Sequence, residues 1–123
     1  MNTTKDRVIA PFAKVVSRDA GQHVKSVLVP GSECKTYLVI LRRNGILSTE
    51  CQLQTGVGHI PCQGNSKTLC YHSRAALRVA AGMSQLYFCN SHEAALRLAH
   101  TGGKVAKVKS LQSGKEVFIV VKS

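Results

Sequence analysis

The sequence predicts an α+β fold, in which an antiparallel β-hairpin backed by a helix is followed by a β-α-β-β extension. Three observations carry this reading. Two β-branched and aromatic runs, KTYLVILRR at 35–43 and ILSTECQL at 46–53, flank Asn44-Gly45. A run of good helix formers, HSRAALRVAA at 72–81, stops at Gly82. A second such run, EAALRLAH at 93–100, stops at Gly102-Gly103.

Taken in order, the chain opens with an N-terminal segment, 1–22, whose first seven residues are polar and read as loose. Residues 8–16 mix apolar and polar positions without a clean period, so strand and short helix both remain open there. HVKSVLV at 23–29 reads as a strand broken by Pro30-Gly31-Ser32. Asn-Gly between two β runs predicts a type I′ turn, which needs positive φ at both central residues, and strands at about 36–43 and 46–53 that pair antiparallel. Residues 54–69 contain three glycines and few apolar side chains. They read as a loop without structure of its own, which something functional must order. The helix at 72–81 turns small apolar residues inward and is expected to show Arg74 and Arg78, one turn apart, to the outside.

The extension begins with a strand at about 85–89. Ser91 is placed to cap the second helix, with Glu93 in its first turn. Strands follow at about 104–111 and 116–122. Residues 117–121 are apolar at every position, the pattern of a strand covered on both faces.

Composition narrows the function. A chain of 123 residues fits one body, organised as 1–22, 23–82 and 83–123. Its 17 basic against 6 acidic residues give a net charge of +11, which calls for an anionic partner. Nucleic acid comes first and a membrane surface second, and no polybasic tail exists to make the contacts in place of a folded surface. MNTTKDR lacks the apolar core of a secretion signal and no apolar run is long enough for a membrane span, so a cytoplasmic protein is expected. Five cysteines, an odd count, favour a metal cluster over a disulfide scheme in that compartment.

Three of those cysteines lie within reach of a histidine in CQLQTGVGHIPCQGNSKTLCYH, residues 51–72. Thiolate and imidazole are preferred ligands of zinc, and a structural site takes four of them with no position left for water. Cys51, Cys62, Cys70 and His72 form such a set, with His59 as the replacement if one is wrong. Cys89 and His92 make a further Cys-x-x-His pair, read chiefly as a buried thiol and a first-turn histidine. Cys34 beside a turn reads as a free thiol. A cysteine nucleophile paired with His59 or His100 lacks both an oxyanion hole and an orienting third residue, and no phosphate loop or carboxylate pair is present, so no enzyme and no small-molecule substrate are expected.

Residues 23–82 resemble the SWIM-type zinc finger: a strand ending Val-Lys-Ser-Val, a Tyr-x-Val strand at Tyr37 and Val39, a hairpin carrying Cys51, a spacer, then Cys70-Tyr71-His72 and a small-residue helix. The family pattern is Cys-x-Cys followed by Cys-x-His. Leu53 stands where the second cysteine falls, and Cys62 within the spacer is its substitute. The resemblance implies a hairpin packed on a helix across one structural Zn²⁺, with a role in DNA binding or protein interaction, which puts DNA ahead of RNA as the nucleic acid. The expected function is therefore nucleic-acid binding through the phosphate backbone, with Arg42, Arg43, Lys67, Arg74 and Arg78 as contacts and Lys104, Lys107, Lys109 and Lys115 extending the surface. The alternative is a zinc-containing adaptor that binds an acidic partner protein.

Overall fold

A computed structural model describes residues 5–66, 69–82 and 85–122. The fold is mixed α+β and dominated by strand. Its helices are α1 (Lys5–Ile9), α2 (Tyr71–Ala80) and α3 (His92–Ala99). Its strands are β1 (Lys14–Arg18), β2 (Val24–Pro30), β3 (Thr36–Asn44), β4 (Ile46–Thr55), β5 (Gly58–Pro61), β6 (Gln85–Cys89), β7 (Gly103–Ser110) and β8 (Glu116–Lys122). They join in one sheet of order β1-β2-β3-β4-β7-β8-β6, with β5 paired to β4 beside that path. None of the helices is long and apolar enough to cross a membrane.

The hairpin of β3 and β4 forms, but not with the turn its Asn-Gly predicts. Asn44 pairs with Ile46, and of the two turn residues only Gly45 has positive φ, at 85°. The reason is burial. The observed register sets Val39 opposite Cys51 and Leu41 opposite Thr49, and all four point inward. A two-residue turn would slip the pairing by one position and bring Glu50 opposite Val39, because residues directly opposite share a face. The apolar pattern outweighs the turn preference.

The segment expected to be a structureless loop also differs. Thr55 and Gly58 close a second hairpin, and β5 folds back on β4 with Leu53 opposite Ile60. A short 3₁₀ turn, Gln63–Ser66, follows. Four residues of strand with every side chain exposed give no apolar alternation to read.

Helix α2 lies on β2, β3 and β4 and buries Ala75, Ala76 and Leu77 against Val27, Val29 and Val39. Each of those valines contributes roughly 1.5–3 kcal/mol by leaving water. The chain leaves α2 through Gly82 at φ 70°, a conformation glycine adopts without steric cost. The second unit joins the first through β7, which runs parallel to β4 at Leu47–Val108 and Thr49–Ser110. Central β8 pairs with both β7 and β6, and α3, capped by Ser91, lies over β6, β7 and β8. Val117 and Ile119 join the main core, while Phe118 faces the other way and meets the His92 ring of α3 at 5.2 Å. This strand is covered on both faces, as its unbroken apolar run requires.

The N-terminal segment is corrected most. Residues 5–9 are helical, residues 10–12 form a 3₁₀ turn and β1 begins at Lys14. Asp6 of α1 is fully buried and accepts a 2.6 Å bond from Arg78 Nε, while Arg78 Nη1 donates to the Leu86 carbonyl at 2.8 Å. Arg78 is thus an interior residue, only 7 % exposed, and not the outward arginine its i, i+4 spacing from Arg74 implies. Its guanidinium ties α1, α2 and β6 together. Asp6→Ala should cost about 3–5 kcal/mol in urea unfolding, because it strands a buried cation. By contrast Arg42→Ala, which breaks the exposed Arg42–Glu50 pair, should cost no more than about 1 kcal/mol.

Candidate metal centre

The four donors reach one point from three elements. Cys51 sits in β4, whose alternation turns it inward beside Val39. Cys62 follows β5, and its backbone N–H donates to the Cys51 carbonyl at 2.9 Å, extending the β4–β5 ladder by one bond. That bond sets the two cysteines side by side, so β5 delivers the ligand. Cys70 caps α2: the Ser73 N–H donates to its Sγ at 3.4 Å, and its thiol lies 3.4 Å from Ser73 Oγ. A helix N-terminus favours negative charge on such a sulfur. His72, in the first turn, is held between Tyr37, stacked at 3.6 Å between ring centroids, and Tyr71 at 4.0 Å.

All four residues are buried, and their donor atoms lie within 4.8 Å of one another. Cys62 Sγ and His72 Nδ1 are 3.8 Å apart. In a tetrahedral zinc site, with Zn–S near 2.3 Å and Zn–N near 2.0–2.1 Å, donors stand about 3.6–3.8 Å apart. The cluster is compatible with one zinc ion.

Electrostatics agree with that fit. The Cys51 thiol is pushed far above the ordinary thiol range, first by its side-chain hydrogen bonds with Cys62 and Cys70, then by burial. Cys70 is also raised. Its bond with Cys51 lowers it, but Cys62 and burial outweigh that effect. Three sulfurs in one buried pocket resist ionising together without a cation, and a divalent cation reverses this by supplying the missing charge.

A support missed in the sequence comes from the far end of the chain. Gln112, in the turn between β7 and β8, accepts from the Cys51 N–H at 2.9 Å through Oε1 and donates to the Cys62 carbonyl at 3.3 Å through Nε2. One amide therefore clamps both cysteine-bearing segments. No sequence signal marks it, since a glutamine in a polar turn is ordinarily solvated. Two glycines line the centre closely. A Cβ on Gly31 would fall 2.5 Å from the Tyr37 ring and 3.2 Å from His72 Nε2, and one on Gly64 would fall 3.1 Å from Cys70 Cβ.

The other candidates lie elsewhere. His59 is exposed on β5 opposite Gln54. Cys89 pairs with Phe118 at the end of β6, and His92 packs on that same ring. Cys34 is exposed at φ 60°. Among the described residues, the quartet is the only Cys/His/Asp/Glu group that could hold a metal.

The basic residues are dispersed and mostly engaged. Arg42 pairs with Glu50 at 3.1 Å, and Arg43 donates to the Val24 carbonyl at 2.7 Å. Arg74 donates to the Leu69 carbonyl at 3.1 Å. Arg78 is interior, and Lys67 lies outside the described residues. Of the lysines in the extension, Lys107 faces Glu116 at 3.7 Å, while Lys104 and Lys115 are exposed.

Neither a scan against protein-family models nor searches of curated proteins and of solved structures return a match to this chain.

The packing around the centre is testable without reference to a ligand. Gly31→Ala should lower stability by about 1–3 kcal/mol, the usual range for overpacking, because the Tyr37–His72 stack must move. Gly56→Ala, which meets nothing within 4 Å, should change it by less than about 0.5 kcal/mol. Urea midpoints of the two variants make the comparison.

Proposed function

We propose that the chain is a structural-zinc protein that binds nucleic acid, with Cys51, Cys62, Cys70 and His72 holding one Zn²⁺ in a divergent SWIM-type arrangement. The observation that carries the metal reading is the convergence of three thiols and an imidazole, all buried, from β4, the end of β5 and the start of α2. With four protein ligands no coordination position is left for water, so the ion braces the corner and does not act as a catalyst. No enzymatic role is assigned.

The nucleic-acid reading rests on charge. A folded chain at +11 concentrates phosphate around itself, and contacts from Arg and Lys account for most sequence-independent affinity. With Arg78 interior, the contacts fall to the exposed Arg42 and Arg43 at the β3–β4 tip, with the nearby Lys25 beside the same hollow. Exchanging Glu50 for phosphate costs Arg42 little where water competes for the pair, while Arg43 would give up its 2.7 Å bond to the carbonyl of buried Val24.

Protein purified without added metal should contain one zinc per chain. Cys70→Ser and His72→Ala should lose the ion and most of the folded population, since metal affinity in such a site is folding free energy. Cys34→Ser should keep both. Elemental analysis with circular dichroism decides this, and full zinc retention by Cys62→Ser would sink the ligand assignment.

Binding to DNA should weaken steeply with salt. The joint Arg42→Ala and Arg43→Ala variant should flatten the slope of log affinity against log salt by about 2, near 0.9 per phosphate contact. Failure to bind DNA or RNA at low salt would abandon this reading and leave an adaptor for an acidic partner protein.

A further inference from the structure

The outer face of the metal corner is concave. A cleft of about 610 Å³ opens directly over Cys62, Cys70 and His72, a volume in the range of small-molecule sites. Its lining mixes two chemistries. Lys5 of α1 and Lys35 of the β2–β3 connection line it, and so do Leu53, Ile60 and Pro61 of the β4–β5 hairpin. Among the described residues, no aspartate or glutamate lines it. Lys5 Nζ sits 4.5 Å from the centroid of the Tyr71 ring, a cation–π contact that holds the ammonium at the cleft. Ile60 stays 53 % exposed, a large apolar side chain left uncovered in the lining.

An inorganic anion would satisfy the lysines and leave the apolar lining in water, and an apolar ligand would do the reverse. A ligand with a phosphate at one end and a flat, weakly polar body at the other meets both. We propose that this cleft takes one nucleotide of a single-stranded nucleic acid, its phosphate between Lys5 and Lys35 and its base on Leu53, Ile60 and Pro61. A duplex keeps its bases stacked inside and presents only backbone, so it cannot fill a concave site of this kind. The inference rests on the nucleic-acid reading above and gives it a strand preference and a location.

The test uses the full chain loaded with Co²⁺, whose visible absorption reports on the sulfur and nitrogen ligands at the cleft floor, together with the anisotropy of labelled DNA. The probes are a short oligothymidylate, a duplex of equal length, inorganic phosphate and a polyglutamate peptide. Oligothymidylate should bind at least about tenfold tighter than duplex and perturb the cobalt bands. The joint Lys5→Ala and Lys35→Ala variant, checked for metal content and circular dichroism, should lose that preference, whereas Arg42→Ala with Arg43→Ala should weaken both nucleic acids alike.

Equal binding of single strand and duplex, unaffected by the two lysine changes, would overturn the cleft assignment and leave the nucleic-acid reading standing. Reproduction of the spectral change by inorganic phosphate alone would overturn the nucleotide, and by polyglutamate alone would give the cleft to a protein partner. No binding of either nucleic acid would defeat the broader reading, and the cleft assignment with it.

Discussion

The constraint on which the structure turns is the burial of three sulfurs and an imidazole at one corner. They come from elements that the core packing of α2 and the β4–β5 pairing already bring together. Strand β4 supplies Cys51 from the core face of the sheet, β5 brings Cys62 beside it through one ladder bond, and α2 begins where Cys70 can cap it and His72 can turn inward. A short, fully exposed strand such as β5 gains almost nothing from hydrophobic burial, so its position depends on what it holds at its end. A bound cation would convert the electrostatic cost of clustering thiols into a cohesive force across all three elements.

Around that corner the chain uses polar ties between segments remote in sequence. Asp6 and Arg78 lock the N-terminal helix to α2 and β6, and Gln112 carries the β7–β8 turn onto the two cysteine-bearing segments. Both ties satisfy groups whose desolvation would otherwise be costly. The parallel pairing of β4 with β7 completes the join, so the extension supports the metal corner directly.

Function follows from what this arrangement leaves at the surface. Arginines near the core are spent on structure: Arg78 on Asp6, Arg74 on a carbonyl at the start of α2. Cations left at the surface include those at the hairpin tip, those lining the cleft over the metal corner, and Lys104 and Lys115 of the extension. A net charge computed from composition thus overstates what one face can offer a phosphate backbone, and geometry decides where the contacts fall.

Local rules were enough to read the β3–β4 hairpin, helices α2 and α3 with the Gly82 stop and the Ser91 cap, the doubly covered β8 and the Cys/His quartet. Each is written in a span of residues short enough for periodicity, capping chemistry or ligand type to show. What escaped depends on partners far along the chain. The register of β3 against β4 was decided by which side chains the sheet buries, against the preference of Asn44-Gly45 for a two-residue turn. Strand β5 has no apolar alternation, and the roles of Asp6, Arg78 and Gln112 exist only once helices and turns some fifty to seventy residues apart are brought together. Sequence spacing put Arg78 beside Arg74 on an outer face; the tertiary structure buried it, because a carboxylate and a carbonyl waiting in the interior could replace the water it gave up.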